Sequence, residues 1–481
     1  MTMTSLVHAF STFDGYYIYD TNTSSILKVP KGVHDNFKSG VSIELSPEDK
    51  RIIESLKESG FLKKSNIVKI EHPYSSRLRS LLERRVGSIT LQVTQRCNLR
   101  CRYCVYSGSY NTRTHSNSSM SFEVARKSVD FLISHSVDTD NVNIGFYGGE
   151  PLLEFDLIKS TVKYARSVGE GKKIRFGMTT NGTVFTDEIL GYLEENGFNL
   201  LLSLDGPKEV HDKNRVFAHD GRGTFDIIMD QVSHIRDDFP ELYKNIAFNA
   251  VIDPRLEASC SNTFFINCEE FENANVAGNI IGDVYRKKQA KIPEKFLIKY
   301  EEEYFKVLMS KLGVVSDRSI SKLVYFKFEN LLGSLFVLRN KTRSISPHNH
   351  PSGPCIPGCR KLFIDVNGNF FPCENASESS STMVIGNIDE GFDIEAARRI
   401  LNIGQISENQ CKNCWAFRLC SQCAIFADDG FCLSRKHRLA RCADDKHGFE
   451  EDLKDYCLLI ELGFEFQAEI NKVRYPRGID E

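Results

Sequence analysis

The chain has 481 residues, of which 41% are hydrophobic and 26% are charged, proportions typical of a globular protein rather than a disordered or fibrous one. Its 61 basic and 64 acidic residues leave a formal net charge of -3, which argues against the strongly basic surface that nucleic-acid binding uses. We find no signal peptide and no apolar run of about 18 residues. We therefore expect a cytoplasmic protein of about three domains, without a membrane-spanning segment.

Residues 1–75 are predicted to form a small α+β module. The stretch GYYIYDTNTSSILKVP contains strand-like runs separated by the turn-prone DTNTSS, a pattern typical of short strands. The stretch SPEDKRIIESLKESG begins with the helix start signal Ser46-Pro47 and ends at Gly60, which predicts one helix. We expect the apolar residues of this segment to share one small core: Ile52, Ile53, Leu56 and Phe61.

From about residue 86 to residue 255, strand patterns alternate with helix patterns. Apolar residues alternate in SITLQVTQ, NVNIGFYGGEP, KIRFGMTTNG and NIAFNAVID, and FNLLLSLDG is an almost continuous apolar run, so five strands are predicted. Repeated βα units imply a parallel sheet, either doubly wound or closed as a barrel. The first strand is predicted to be half buried, with alternate residues facing solvent: Thr90, Gln92 and Thr94. Two intervening helices are predicted from apolar faces made by Ala125, Val129, Leu132 and Ile133, and by Phe225, Ile228, Val232 and Ile235.

Three cysteines, Cys97, Cys101 and Cys104, follow the first of these strands directly in the stretch CNLRCRYC. Three other strands end in the small or polar clusters GGEP, TNGT and SLDGP. Ligands collect at the carboxyl ends of parallel strands, so the clusters and the thiols are predicted to surround one site. The glycines of these clusters would serve equally well as turn formers.

The remaining cysteines are concentrated near the C-terminus. Nine of the 15 lie between Cys355 and Cys442, and Cys260, Cys268 and Cys457 are isolated. An odd count without an export signal argues against a disulfide framework. Ligation of a metal or cluster is the better explanation, because a reducing cytosol keeps thiols free to act as ligands.

The spacing in CNLRCRYC favours an iron–sulfur cluster over zinc. A [4Fe-4S] cluster usually has four thiolate ligands, and this loop offers three, which would leave one iron open. A structural zinc site is closed by four ligands, often two pairs of cysteines. The next cysteine is Cys260 and the nearest histidine is His115, so no fourth ligand is near in sequence.

This cysteine spacing, with Tyr103 directly before the last cysteine, resembles the signature of the radical S-adenosylmethionine (SAM) superfamily. The clusters YGGEP, TNGT and SLDGP follow in family order, and the resemblance covers residues 86–300. It implies a partial (β/α)6 TIM-like barrel in which Cys97, Cys101 and Cys104 hold a [4Fe-4S] cluster. The open iron would bind SAM, which is then cleaved to a 5'-deoxyadenosyl radical. Further SAM contacts are implied for Gly148, Gly149, Glu150, Asn181, Ser203, Asp205 and Arg215.

These SAM contacts have different expected roles. The two glycines would let backbone approach the amino group of SAM, and Glu150 would hold its charge. Ser203 and Asp205 would bond the ribose hydroxyls. Arg215 resembles the position that pairs with the SAM carboxylate, although an ordinary surface arginine is an equal alternative. Asn181 is equally well explained as a turn residue.

The C-terminal cysteines resemble the SPASM extension of radical enzymes that modify peptides and proteins, here residues 351–450. The resemblance implies two auxiliary [4Fe-4S] clusters, hence three clusters in all. By order and spacing, one would use Cys355, Cys359, Cys373 and Cys423, and the other Cys411, Cys414, Cys420 and Cys442. Cys432 is left over, either as a free thiol or in place of Cys442. Two residues separate Cys420 from Cys423, where the usual pattern has three, and zinc is the alternative for CKNC…CSQC alone.

The whole chain resembles thioether-forming maturases of ribosomally made peptides, the sactipeptide and ranthipeptide class. Residues 1–75 would then be a winged-helix-like module that binds the leader of a precursor peptide by strand addition, with dimerisation or packing as the alternative. Residues 301–350 would be a helical bridge and linker, and 451–481 a C-terminal helix and tail. The implied reaction joins a cysteine sulfur to a carbon of an acceptor residue, with an external electron donor such as flavodoxin or ferredoxin.

Two other functions remain open at this point. One is a different radical modification, either carbon–carbon crosslinking or formylglycine formation as in anaerobic sulfatase maturation. The other is a non-catalytic zinc scaffold that recruits peptides. The sequence identifies no catalytic base: Asp365 is a candidate by location, but a role in stabilising a turn beside VNGN explains it better.

Overall fold

A computed structural model describes the chain over residues 6–38, 44–256, 258–272, 274–282, 284–288, 291–338, 345–351 and 355–472. Parts of the predicted bridge and linker (339–344), of the predicted SPASM region (352–354) and of the predicted tail (473–481) lie outside these ranges. Among the helices within them, none combines the length and the apolar character that crossing a bilayer requires.

The N-terminal module is an antiparallel sheet followed by helices, as predicted. Its elements are β1 (Val7–Ser11), β2 (Tyr16–Asp20), β3 (Ser25–Lys28), α1 (Lys31–Lys38) and α2 (Pro47–Glu58). The strand order β1-β2-β3 leaves β3 at an edge of the sheet in the part of the chain that the structure describes. Ser46 caps α2, because its Oγ accepts a hydrogen bond from the Asp49 N–H at 3.0 Å. Gly60 follows the helix with a φ of 96°, a left-handed angle that favours glycine.

Six parallel strands in the order β10-β9-β8-β7-β6-β5 form the central sheet. After β4 (Lys69–Ile70), these strands are β5 (Ser88–Thr94), β6 (Asn141–Gly148), β7 (Lys173–Thr180), β8 (Asn199–Ser203), β9 (Ile246–Ile252) and β10 (Asn275–Ile280). The helices of this region are α3 (Leu78–Arg84), α4 (Phe122–His135), α5 (Phe155–Val168), α6 (Asp187–Glu195), α7 (Lys208–Asn214), α8 (Phe225–Asp238), α9 (Pro240–Tyr243) and α10 (Ala258–Asn267). Each strand pairs with the next one along the chain, so the predicted partial βα barrel is confirmed.

Strand β5 is buried more completely than its alternating pattern predicts. Gln92 and Thr94 are fully buried, as are the apolar residues between them and before them. The prediction of a solvent-facing side is wrong at this end of the strand, because that side faces the interior of the barrel. The Gln92 amide donates to Tyr106 Oη at 2.7 Å and to Glu378 Oε1 at 2.6 Å, which offsets the cost of burying it.

The C-terminal region extends the same sheet rather than standing apart from it. Its strands in this sheet are β12 (Leu362–Ile364), β13 (Asn369–Phe371), β14 (Gly386–Asn387) and β15 (Gly391–Phe392), whereas β11 (His348–Asn349) pairs with β4 in a separate two-stranded sheet. Strand β12 pairs in parallel with β5, and β13, β14 and β15 follow antiparallel. Asp365 stabilises the turn after β12, because its Oδ1 accepts the N–H groups of Asn367 at 2.9 Å and Asn369 at 2.8 Å.

The remaining helices follow β10, and several of them pack against the N-terminal module. They are α11 (Glu294–Lys311), α12 (Lys322–Leu331), α13 (Ile394–Leu401), α14 (Glu408–Cys411), α15 (Arg435–Ala440), α16 (Cys442–Glu461) and α17 (Phe466–Lys472). Phe10 and Tyr19 of the module share a buried cluster with Tyr304 of α11 and Tyr456 of α16. One continuous helix, α16, therefore crosses the predicted domain boundary at residue 450 and packs against the module.

Candidate active site

A cavity of about 460 Å³ lies at the carboxyl ends of the parallel strands. The three thiols of the loop after β5 line it together: Cys97, Cys101 and Cys104. Opposite them, residues at or near the ends of the neighbouring strands line the same space: Gly148, Gly149, Thr180, Asn181, Ser203 and Ile280. The fold thus brings the cysteine loop and the strand-end clusters to one site.

The three thiols suit a cationic iron centre. Burial raises the pKa of Cys97 and of Cys101 to about 12, and it also raises that of Cys104. Buried thiols of this kind stay protonated near neutral pH unless a metal ion supplies compensating charge, and a coordinating metal deprotonates them outright. The donor set therefore fits a [4Fe-4S] cluster with one iron left for another ligand.

Two glycines let the end of β6 pack against the cysteine loop. A Cβ atom at Gly148 would lie 2.0 Å from the carbonyl oxygen of Thr94, and one at Gly149 would lie 1.9 Å from that of Arg96. The Gly149 N–H donates to the Thr94 carbonyl at 2.9 Å. These glycines therefore position the loop itself, a reason that the sequence argument, based on a bound amino group, did not include.

Glu150 joins the ends of two strands from a fully buried position. Its Oε1 accepts hydrogen bonds from Thr180 Oγ1 at 2.8 Å and the Leu152 N–H at 3.1 Å, and its Oε2 accepts from the Asn181 N–H at 2.8 Å. Burial raises the pKa of Glu150 to about 7. Asn181 in turn donates from Nδ2 to Asn98 Oδ1 at 2.9 Å, so it holds the cysteine loop in addition to forming a turn.

Arg215 is a buried cation beside the thiols and not a surface residue. It is 6% exposed and lines the cavity, so the surface alternative is wrong. Its Nε lies 3.1 Å from Asp205 Oδ2, which also accepts a hydrogen bond from Tyr103 Oη. Asp205 Oδ1 accepts the Val251 N–H at 3.0 Å. Both oxygens of Asp205 are thus engaged within the protein, whereas Ser203 lines the cavity directly.

An aromatic and polar wall of this cavity was missed by the sequence argument. It is formed by Tyr106, Tyr110, Tyr147, Asn249, Asn279 and Tyr285. Tyr147, Asn249 and Asn279 lie on strands, where side chains at alternate positions face the same side of the sheet. This alternation was the signal in the sequence that could have placed them inside the barrel; Tyr147, for example, faces the same side of β6 as Gly145.

Arg113 joins the radical-site loop to the C-terminal region. Its side chain is 3% exposed, and its Nε lies 3.0 Å from Glu378 Oε1. One terminal nitrogen donates to the carbonyl oxygens of Glu374 at 2.9 Å and Ala376 at 2.8 Å. Because these residues directly follow Cys373, the arginine fixes that segment against the cavity.

The C-terminal thiols form two groups. Burial raises the pKa of Cys373 to about 11, and the nearby charges of Cys355 and Cys423 add to the increase; the charge of Cys355 likewise adds to the effect of burial on Cys359. In the other group, burial raises the pKa of Cys420 to about 11, with added effects from Cys411 and Cys414, and Cys442 is affected by burial and by Cys411. The SPASM resemblance implies these same two sets as cluster ligands, and that assignment stays a prediction.

Cys432 stands apart from both groups. Its side chain is exposed, and its thiol donates to Asp429 Oδ2 at 3.3 Å. Within the described residues, no three His, Cys, Asp or Glu side chains are close enough to hold a single metal ion. A [4Fe-4S] cluster is larger, and its cysteines bind different irons.

The protein therefore combines a partial parallel βα barrel with three thiols of one loop at the ends of its strands. Residues 91–251 match the family model of the radical SAM superfamily, so the chain contains a radical SAM domain.

The chain is also similar to several known proteins. An uncharacterised protein of Methanocaldococcus jannaschii is 33% identical over 141 residues, which span 29% of this chain and 46% of that protein. A cysteine-type anaerobic sulfatase-maturating enzyme of Clostridium perfringens is 24% identical over 385 residues, covering 77% of this chain and 93% of the relative. The solved structure of anSMEcpe with bound AdoMet superposes with a TM-score of 0.59 at 21% identity, covering 78% of this chain and 98% of that one. This structural likeness supports the fold.

Proposed function

We propose that this protein is a radical SAM enzyme that forms thioether crosslinks in a ribosomally synthesised, cysteine-containing peptide. The observation that carries the proposal is that residues next to two thiols of the first C-terminal set, Cys373 and Cys423, line the radical-site cavity. Glu374 and Asn375, which follow Cys373, and Ile425, which lies two residues after Cys423, line the same cavity as the cysteine loop. A substrate in this cavity would lie between the thiols of the cysteine loop and those of the first C-terminal set.

This arrangement suits an oxidation that removes two hydrogen atoms. Joining a cysteine sulfur to a substrate carbon removes the hydrogen of the C–H bond and that of the S–H bond, the latter as a proton and an electron. SAM and the cluster implied at the cysteine loop would supply the radical that takes the first hydrogen. The cluster implied at the first C-terminal set of cysteines would accept the electron. The residues of this chain would position the peptide and keep water out, with the buried Arg215 beside the thiols and the tyrosine wall opposite.

The N-terminal module supports recognition of a peptide leader. Strand β3 lies at the sheet edge in the described part of the chain, and an edge strand can take an added peptide strand. The module packs beside the second C-terminal set of cysteines: the His8 ring stacks on Trp415, which directly follows Cys414, with centroids 3.7 Å apart. Arg418 donates to the carbonyl oxygens of Thr21 at 2.8 Å and Asn22 at 3.0 Å. Leader binding at β3 would therefore act on the same body that holds the thiols.

Formylglycine formation in a sulfatase is the second candidate function. It is supported by the similarity to the sulfatase-maturating enzyme of Clostridium perfringens, which covers 93% of that relative. This reaction also begins with removal of a hydrogen from the carbon beside a cysteine sulfur or serine oxygen. The same cavity and the same thiol groups would serve it, so the product distinguishes the two functions.

The test uses protein purified and assayed without oxygen, with SAM and a reductant. Substrates are synthetic peptides for short reading frames encoded beside this gene, and a cysteine peptide from a sulfatase. A thioether lowers the peptide mass by two hydrogen atoms and removes the thiol from alkylation, whereas a carbon–carbon link leaves the thiol alkylatable and formylglycine replaces sulfur by oxygen. The Cys97/Cys101/Cys104 triple alanine variant is the control and should form no 5'-deoxyadenosine. Zinc-containing, colourless wild type without SAM cleavage would refute both functions.

A further inference from the structure

A second cavity, here called the lower cavity, occupies the amino-terminal half of the barrel below the cysteine loop. Its volume is about 440 Å³, within the range of about 300–1,000 Å³ that is usual for ligand pockets. Tyr147, Thr179 and Glu374 line both this cavity and the one at the thiols. These three residues therefore form the boundary between two halves of one barrel interior.

A row of paired residues that includes two glycines crosses the sheet at the lower cavity. Thr90 pairs with Gly145, Gly145 with Gly177, and Gly177 with Asn199 in the strand register. Glycine inside a strand costs about 0.5–1 kcal/mol relative to alanine, and it often marks a place where a ligand or another backbone comes close.

The fold itself does not require glycine at position 177. Gly177 does not have the left-handed φ that some other glycines of the described chain have. A Cβ atom there would meet only the carbonyl oxygen of Asn199, at an ordinary contact distance of 3.5 Å. At Gly145 the nearest atom would be Thr90 Oγ1 at 3.3 Å, on a side chain that can rotate. Both positions therefore keep space open inside the barrel at a cost to strand stability.

The mouth of the lower cavity is polar but largely uncharged. Asn199 begins β8, Asn275 begins β10 and Asn245 directly precedes β9, and all three line the cavity. Asparagine amides both donate and accept hydrogen bonds, as peptide groups do. Lys244, also at the mouth, is paired with Glu241. Such a mouth suits a peptide backbone better than a phosphate or a carboxylate.

The charge that borders the upper end of the lower cavity is also partly neutralised. Glu374 Oε1 pairs with Lys361 Nζ at 3.0 Å. The row at Gly145 lies three residues below Gly148 on β6, which corresponds to about 10 Å at the rise of a strand. Three residues of an extended peptide span the same distance, so a peptide reaching the thiols through this cavity would fill it.

We propose that the lower cavity is a substrate subsite for an uncharged, extended stretch of the peptide, whose modified residue reaches past Tyr147 to the cysteine loop. The inference rests on the proposed function for the substrate being a peptide. It adds the place where residues flanking the modified one bind, and it predicts neutral residues at those flanking positions.

The test fills the cavity and maps where a peptide binds. The probe is an acetylated heptapeptide with a central cysteine flanked by Gly, Ser and Ala, carrying a benzophenone at its amino end. It is photocrosslinked to the full-length protein, and the attachment sites are mapped by mass spectrometry. We expect labelling within residues 199–201 and 244–247 in the wild type, reduced at least tenfold in Gly177→Val and less strongly in Gly177→Ala. Both variants should keep the wild-type thermal midpoint or exceed it, because alanine and valine suit a strand better than glycine.

The matched control is Gly448→Ala in α16, where a Cβ atom would meet nothing within 4 Å; its labelling should equal that of the wild type. Equal labelling of Gly177→Val and wild type, or labelling confined to other regions, would overturn the inference. Equal labelling by a heptapeptide with Asp in place of Ser would overturn the requirement for neutral residues. Since crosslinking needs no turnover, labelling of the lower cavity without any modified product would remove the proposed function and leave the subsite. Product formation with labelling elsewhere would support the proposed function and remove the subsite.

Discussion

Replacing Arg215 by methionine should destabilise the protein by an amount that reflects a buried ion pair. The side chains of Arg215 and Asp205 are 7% and 0% exposed. Removing one partner of a buried pair typically costs about 3–5 kcal/mol, because the remaining charge loses its compensation. Asp205 would keep its hydrogen bonds from Tyr103 Oη and the Val251 N–H, so we expect the lower end, about 3 kcal/mol.

The assay is guanidinium denaturation of anaerobically prepared protein, followed by circular dichroism, for a double-mutant cycle of Arg215→Met and Asp205→Asn. The neutral asparagine can still accept the Val251 N–H through its side-chain oxygen. The double variant should therefore recover part of the stability lost in Arg215→Met, with a coupling energy of about 2 kcal/mol.

Arg236→Met is the matched control, because Arg236 is paired with Asp237 at 2.8 Å on the surface, and exposed pairs contribute little. Two results would refute the reasoning: an Arg215→Met midpoint no lower than that of Arg236→Met, or additive effects in the cycle. Either would mean that Asp205 does not depend on the charge of Arg215.

Three further predictions use other buried or exposed groups. Burial raises the pKa of Glu150 from 4.5 to about 7; the folded state then holds its proton more tightly, so stability should fall by about 3 kcal/mol as pH rises across that window. Urea midpoints of wild type and Glu150→Gln, which should lack this fall, measure it. Cys432→Ala should leave iron per chain unchanged, whereas Cys442→Ala should lower it by about four atoms; equal losses would contradict the grouping. Burial lowers the pKa of His8, so its ring should gain a proton only as pH falls below 6.5, which places a charged ring against Trp415, the only tryptophan. The fluorescence should shift with pH in wild type and not in His8→Phe.

The long elements of the fold were predictable because they carry a periodic pattern. Strands β5 to β9 and helices α2, α4 and α8 span at least five residues each, enough for alternation or an apolar face to be visible. Strands β12 to β15 have three residues or fewer, too short for any period. Their place in the sheet follows from pairing with β5, a contact between residues about 270 positions apart in sequence.

The candidate site divides in the same way. The cysteine loop was predictable because its three thiols lie within eight residues. The partners of Glu150 were not, since Thr180 and Asn181 come from the end of the neighbouring strand and depend on the register between the strands. The partner of Arg215 was not either, because Asp205 and Arg215 lie on opposite sides of α7 and no sequence period connects them. The burial of Gln92 inside the barrel was not predictable either, because its polar partner Glu378 lies far along the chain. Without knowledge of such a partner, a polar residue in an alternating strand is predicted to face solvent.

The pairing of the short strand β12 with β5 makes the C-terminal region part of the cavity wall. Because β12 pairs with β5, the segment after Cys373 runs beside the loop that carries the first three cysteines. Arg113 donates to the carbonyl oxygens of Glu374 and Ala376, and Ser377 donates from Oγ to the carbonyl of Asn111 at 2.9 Å. The wall of the cavity is therefore built jointly by the two regions. A substrate held there would contact both regions. The distance between the cysteine loop and the first C-terminal set of cysteines is therefore set by backbone pairing rather than by a flexible linker.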